Sequence, residues 1–262
     1  MSKRVRYIVE SVLSIVIFLL VWKIASATGI FGRVSVKSSA LLLPPPEQVM
    51  VSMYDLFASG YIEKHILVSF WRVIRGFGLS IAIGVPAGIL MGISRDAKNL
   101  LNIIFRLFSP IPGVAWVPLA LLWFGIGDAA AIFIITMGSI SPIVINTMQG
   151  VKDVDPNLQQ ALQTMGTNKW QQIIHCIIPC IIPHMISGFR LGLGFAWRVV
   201  IAAELVGVPD GIGYVLNVGR STGHTEITIV TILLLGIIMI LMEQVIFVTL
   251  EKRLSHWKAD KT

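Results

Sequence analysis

Apolar residues in this chain fall into long blocks, not into the short alternating runs that mark half-buried strands. Runs with at most one charge cover Val12 to Ile30, Gly76 to Ser94, Leu107 to Gly127, Ala129 to Val151 and Ile227 to Leu250. Each is long enough for a bilayer-spanning helix, which needs about 20 residues. A sixth span is expected within Ile173 to Val206, where Arg190 and Arg198 interrupt an apolar, Gly-rich stretch. The pattern predicts an all-α, polytopic membrane protein with six transmembrane helices. Residues 1–262 are read as one transmembrane domain, since no Pro- or Ser-rich linker and no internal repeat divides them.

The polar segments between the blocks carry their own signals. After the first span, Leu43-Pro44-Pro45-Pro46-Glu47 stops one helix and opens another, expected to run through about Phe57 and to end at Ser59-Gly60. Between the fourth and fifth spans, residues 153–183 form a connection far longer than geometry requires. There Asp155-Pro156 opens a helix whose apolar face is Leu158, Ala161, Leu162 and Met165. Gly166 is expected to end it, with Thr167-Asn168 as turn and cap. A second amphipathic stretch presents Trp170, Ile173, Ile174 and Ile177, and Pro179 and Pro183 are expected to disrupt the helix after it.

Composition agrees with a bilayer as solvent: 55% of the 262 residues are hydrophobic, 13% are charged, and mean hydropathy is +0.80. The basic N-terminal head followed by an apolar body is read as a retained anchor, not a cleaved signal. Net charge is +7, but the basic residues lie in short segments between the blocks and form no patch that tracks a phosphate backbone, which argues against nucleic acid. With both termini in the cytoplasm, eleven basic residues fall on that side: Lys3, Arg4, Arg6, Arg95, Lys98, Lys152, Lys169, Lys252, Arg253, Lys258 and Lys261. The other side keeps Arg33, Lys37, Lys64 and Arg220. The positive-inside rule selects this orientation.

The long connection resembles the coupling loop of ABC importer permeases, whose pattern is EAA-x3-G-x9-I-x-L-P. Gln160-Ala161-Leu162, Gly166 and Cys176-Ile177-Ile178-Pro179 occupy its positions. Ala161, Gly166 and Pro179 match, while Gln160, Leu162, Cys176 and Ile178 depart from it. Further segments are similar to the nitrate, taurine and aliphatic sulfonate branch: Leu43 to Pro46, Ser69 to Phe77, Pro112 to Trp116, Trp123 to Gly127, Ala203-Glu204, Gly211 to Tyr214, and Leu250 to Arg253 with Trp257.

The resemblance implies a type I importer permease fold in the bacterial cytoplasmic (inner) membrane, with a core at about 65–250. It implies a homodimer served by two cytoplasmic ABC ATPase subunits and an extracytoplasmic solute-binding protein. A sulfonate, taurine, nitrate or similar oxyanion would be the solute. The same machinery importing an organic nutrient such as a vitamin precursor, or an ATPase-independent secondary transporter, are the alternatives. The chain itself is expected to bind no cofactor and to be no enzyme: it contains no GxxxxGK[ST] loop, so ATP and Mg belong on the partner ATPase.

Candidate path residues follow from charge and proline inside spans. Arg190, Trp197 and Glu204 recur every seven residues on one stripe, and buried charge in a span usually faces a bundle interior or aqueous cavity. Arg72 and Arg75 can attract an anion or anchor at headgroups. Trp116 and Pro118 lie in a proline-rich span expected to kink. Gly188, Gly192 and Ala196 make a small-residue ridge suited to close packing. His175, Cys176, Cys180 and His184 place soft donors within ten residues, yet the nearby prolines spoil their register and no metal is assigned.

Overall fold

The computed structural model describes residues 3–28 and 42–248. Arg33, Lys37 and everything from Thr249 onward, including the Leu250–Arg253 segment and Trp257, lie outside the described residues. The described residues form helices and turns with no strand. The order is α1 (Lys3–Thr28), α2 (Pro46–Ala58), α3 (Tyr61–Ile93), α4 (Arg95–Phe108), a 3-10 turn at Gly113–Trp116 leading into α5 (Val117–Phe124), and α6 (Asp128–Lys152). Then come α7 (Pro156–Thr164), α8 (Lys169–Gln172), a π turn at Ile173–Ile177, α9 (Ile178–Gly207), α10 (Ile212–Thr222) and α11 (Thr225–Met242), which ends in a π stretch at Glu243–Val248.

Five of these stretches are long and apolar enough to cross a membrane: Val9–Thr28, Tyr61–Ile93, Asp128–Lys152, Lys169–Gly207 and Thr225–Phe247. The expected span at Leu107 to Gly127 is different. Its residues belong to two pieces, Arg95–Phe108 and Gly113–Phe124, which meet at 88° and make a sixth crossing only as a broken span. Pro110 and Pro112 supply no N–H, so the ladder fails there, although Ser109 before the first of them keeps helical dihedrals. Most of the first piece, α4, lies before the span expected at Leu107 to Gly127. Ser94 caps it by accepting from the Ala97 N–H at 3.2 Å, Asp96 sits in its first turn and Arg106 in its last.

The centre of the bundle is α6, packed between α3 and α9. On α3, Gly76, Ser80, Gly84, Gly88 and Gly92 recur every fourth residue and run parallel to Ile135, Ser139, Ile143, Thr147 and Val151 of α6. Partners differ by 59 residues at every rung, as in the 2.6 Å Ser80–Ser139 hydroxyl bond. A Cβ on Gly88 would sit 2.6 Å from Thr147 Cβ, so that rung requires glycine for the helices to approach this closely. On the other side α9 runs antiparallel, with Gly188 against Asn146 and the Pro142 carbonyl and Gly192 against Ile143. Ala196 is fully buried in the same ridge.

At one end of the bundle lies residues 153–168. At the other end lie the starts of α3 and α6, the end of α9 and α10. Outside this core, α1 is tied to the proline segment: Trp22 Nε1 donates to the Pro44 carbonyl at 3.1 Å and Ser26 Oγ to the Leu43 carbonyl at 2.7 Å. Prolines offer no N–H but keep their carbonyls, so the segment serves as a row of acceptors. Lys23 and Glu47 form an exposed ion pair beside it.

Candidate coupling loop and charge network

Residues 153–183 fold as capped pieces. The Asp155 carboxylate accepts from the Asn157 N–H at 2.8 Å, and Pro156 follows at the first helical position, where a missing N–H costs nothing. The far end of α7 is closed by Gly166 at φ +79°, with the Gly166 N–H on the Gln163 carbonyl at 3.0 Å and the Thr167 N–H on the Leu162 carbonyl at 3.2 Å. This is the Schellman arrangement, in which the left-handed position favours glycine. Asn168 then opens α8 reciprocally: its side chain accepts from the Gln171 N–H at 2.8 Å, and Gln171 Oε1 accepts from the Asn168 N–H at 2.9 Å.

Pro179 and Pro183 disrupt the regular α-helix only as far as a π turn at Ile173–Ile177, and the helix does not end at them. The π turn before them sends the Ile178 N–H back to the Ile173 carbonyl, and His175, whose carbonyl a proline at 179 would crowd, lies inside that turn. Helix therefore continues from Lys169 to Gly207. The expected apolar faces are also only half used. Leu162 and Ile173 pack onto Val151, Val154, Ile177 and Ile181, whereas Leu158, Ala161 and Ile174 are exposed. Met165 is 79% exposed and Trp170 73%. Gln160 is exposed too. The loop thus ends in an apolar tip that nothing among the described residues covers.

At the opposite end, Arg72 and Glu204 meet. They are 2% and 1% exposed. Arg72 Nη1 donates to Glu204 Oε1 at 3.0 Å and to the Asp210 carbonyl at 2.8 Å, Nε donates to Asp128 Oδ1 at 2.7 Å, and Nη2 is bonded to Asp210 Oδ1. Ser69 Oγ sits 2.8 Å from both Glu204 oxygens and accepts from the Ile212 N–H at 2.8 Å. The Gly213 N–H donates to Glu204 Oε2 at 2.9 Å, and the Gly211 N–H to His65 Nδ1 at 3.0 Å. Helices α3, α6, α9 and α10 are joined through these side chains.

That network explains the Gly211-Ile212-Gly213 sequence. Gly211 has φ +102°, and a Cβ on it would overlap the Glu204 carboxylate; a Cβ on Gly213 would lie 2.7 Å from Glu204 Cβ. The turn lies directly against the carboxylate and gives it the Gly213 N–H, an approach that only glycine permits at this distance, while the Gly211 and Ile212 N–H groups go to His65 and Ser69. A buried charge with this many donors is satisfied within the chain.

The other candidates separate. Arg190 pairs with Glu243 at 2.8 Å, and Trp197 Nε1 donates to the Leu235 carbonyl at 3.1 Å. The stripe Arg190–Trp197–Glu204 is therefore real as a face, but it is spent on α11, α3 and α10. Arg75 is exposed, 3.6 Å from Asp128 Oδ2. Trp116 packs between Phe108 and Phe133 at the α4–α5 break, and Pro118 is exposed in the first turn of α5. Among the described residues no three His, Cys, Asp or Glu side chains converge as a metal site, and His184 lies 3.7 Å from Asp153. Sequence reasoning missed Asp128 and Asp210 and had Ser69 only as the start of a family-like segment; the signal for the two carboxylates was that a buried arginine needs several acceptors.

Residues 84–255 match the family described as binding-protein-dependent transport system inner membrane component. The chain belongs to that family. The permease is 33% identical to an Escherichia coli protein named for aliphatic sulfonates transport, over 83% of this chain and 80% of that one. It is 30% identical to the taurine transport system permease TauC of the same organism, over 85% and 82%. In fold it is similar to the inward-facing MetNI methionine ABC transporter, with a TM-score of 0.56 at 21% identity, covering 68% of this chain and 91% of that one. It is a multi-pass inner-membrane transport component.

Proposed function

We propose that the permease imports a small sulfonate, taurine, nitrate or similar oxyanion by alternating access, as a homodimer driven by two cytoplasmic ATPase subunits. The segment from Gln160, Ala161 and Leu162 through Gly166 to Pro179 seats in the ATPases, which hold the ATP and Mg. An extracytoplasmic binding protein delivers solute to the opposite face, and both termini are cytoplasmic. The observation that carries this reading is the capped loop with its uncovered apolar tip at Met165 and Trp170. A tip held by caps at both ends has already lost its conformational freedom, which favours docking to a cleft. The names of the relatives support the solute class.

The test is Gly166→Val and Trp170→Asp in the permease co-expressed with its ATPase and binding protein. Valine at φ +79° costs roughly 1–2 kcal/mol and has open space around it, so it tilts the turn without a clash. Expected are normal permease yield, loss of ATPase co-purification and loss of ATP-driven uptake. Normal uptake and normal complex yield from both variants would sink the proposal, and transport by the purified chain alone would favour a secondary transporter.

A further inference from the structure

Arg198, a charged side chain inside the α9 span, is not spent on the chain's own packing. Arg198 is exposed, and among the described residues no carboxylate lies within ion-pair distance of it. It sits nine residues before the end of α9, so about 14 Å in from that end along the helix. An arginine that merely escapes to a membrane surface extends toward the nearer one. Arg198 does the reverse. Its Cζ stands 5.9 Å from the centroid of the Phe195 ring, so the side chain folds back toward the middle of the span.

Phe195 is also a wall of a cavity of about 390 Å³. The cavity opens behind the α4–α5 break, where Ser109, Pro110 and Gly113 meet Met137 and Ser141 of α6. Its size is in the range of small-molecule sites, and its lining combines apolar surface with the Ser109 and Ser141 side chains. Irregular backbone at membrane depth is tolerated where it lines a cavity, and the prolines place it there. An unpaired guanidinium at mid-depth faces lipid only at high cost; a polar cavity and an anion relieve that cost.

We infer that Arg198, held against the ring of Phe195, which lines this cavity, binds the anionic head of the transported solute, a sulfonate or oxyanion. The inference rests on the permease reading, and Arg190 and Glu204 have no part in it because their partners lie within the chain.

The test uses the full complex in native membranes, with Cys176→Ser and Cys180→Ser removing the native thiols and Ser141→Cys placing a reporter in the cavity. Two water-soluble methanethiosulfonates are compared, one ending in a sulfonate and one in a quaternary ammonium, each rate divided by that for a free thiol. The sulfonate reagent is expected to react at least tenfold faster, with the preference lost in R198Q and kept in R198K. Equal normalised rates with Arg198 present, an unchanged preference in R198Q, or no reaction with either reagent would overturn the inference. If R198Q fails to reach the membrane, the ratio with Arg198 present still decides. Failure of the permease reading shows separately, as absent ATPase association and ATP-driven uptake.

Discussion

Replacing Arg72 by methionine removes one partner of a buried ion pair and leaves Glu204 without its counter-charge. Glu204 keeps Ser69 and the Gly213 N–H, but it is only 1% exposed. Breaking a buried pair from one side costs about 3–5 kcal/mol, most of it the penalty on the charge left behind. Arg72→Met/Glu204→Gln removes that charge while its amide keeps partners in Ser69 and Gly213, so much of the loss should return. The double variant is therefore expected to be more stable than R72M alone, with a coupling of about 2 kcal/mol or more. For a chain of this size 1 kcal/mol moves Tm by roughly 2–4 °C, so R72M should melt about 10 °C below the parent. The assay is loss of the monodisperse peak on heating in detergent. A shift under about 3 °C for R72M, or a double variant less stable than R72M, would refute the idea that Glu204 depends on Arg72.

On the α3–α6 seam, Gly88→Ala puts a methyl 2.6 Å from Thr147 Cβ and 2.9 Å from the Val144 carbonyl, so it should cost about 1–3 kcal/mol. Gly78→Ala, one helical face away with nothing within 4 Å, should be neutral or stabilise by up to ~1 kcal/mol through helix propensity; equal melting of the two variants would refute the seam. The Lys23 ammonium, hydrogen-bonded to Glu47, holds that carboxyl below its ordinary value of 4.5. Because the folded value is depressed, the contribution is present at neutral pH and is lost as pH falls below 4.5. Acrylamide quenching of Trp22 emission should rise over that interval and should show no such step in Glu47→Gln.

What was legible in the sequence was what periodicity and punctuation encode locally. Five spans, the Asp155-Pro156 helix start and the stop at Gly166 need only a window of neighbouring residues, and the structure has them. The break at Ser109–Pro112 was visible as prolines, but its 88° bend was not, because the angle depends on what α4 and α5 pack against. Helix α4 was missed since its apolar residues interleave with Arg95, Lys98 and Arg106, so a hydropathy run does not register it even though caps and acidic first turn do. The π turn before Pro179 was out of reach for the same reason: a proline reads as a break unless the preceding turn is known to have widened.

Charge inside spans shows most clearly where a single sequence stops. Spacing by seven placed Arg190, Trp197 and Glu204 on one face, and all three do share it. Spacing assigns a face and never a partner. The same physics that makes a buried charge suggestive of a path makes it suggestive of a lock, and the difference lies in residues 53 to 132 positions away: Glu243 for Arg190, Arg72 for Glu204. Those partners consume the charge. Arg198, about 80° off that stripe, is a span arginine with no carboxylate partner among the described residues. A search for solute contacts in this permease is better begun from the charges its own packing leaves over than from those it buries.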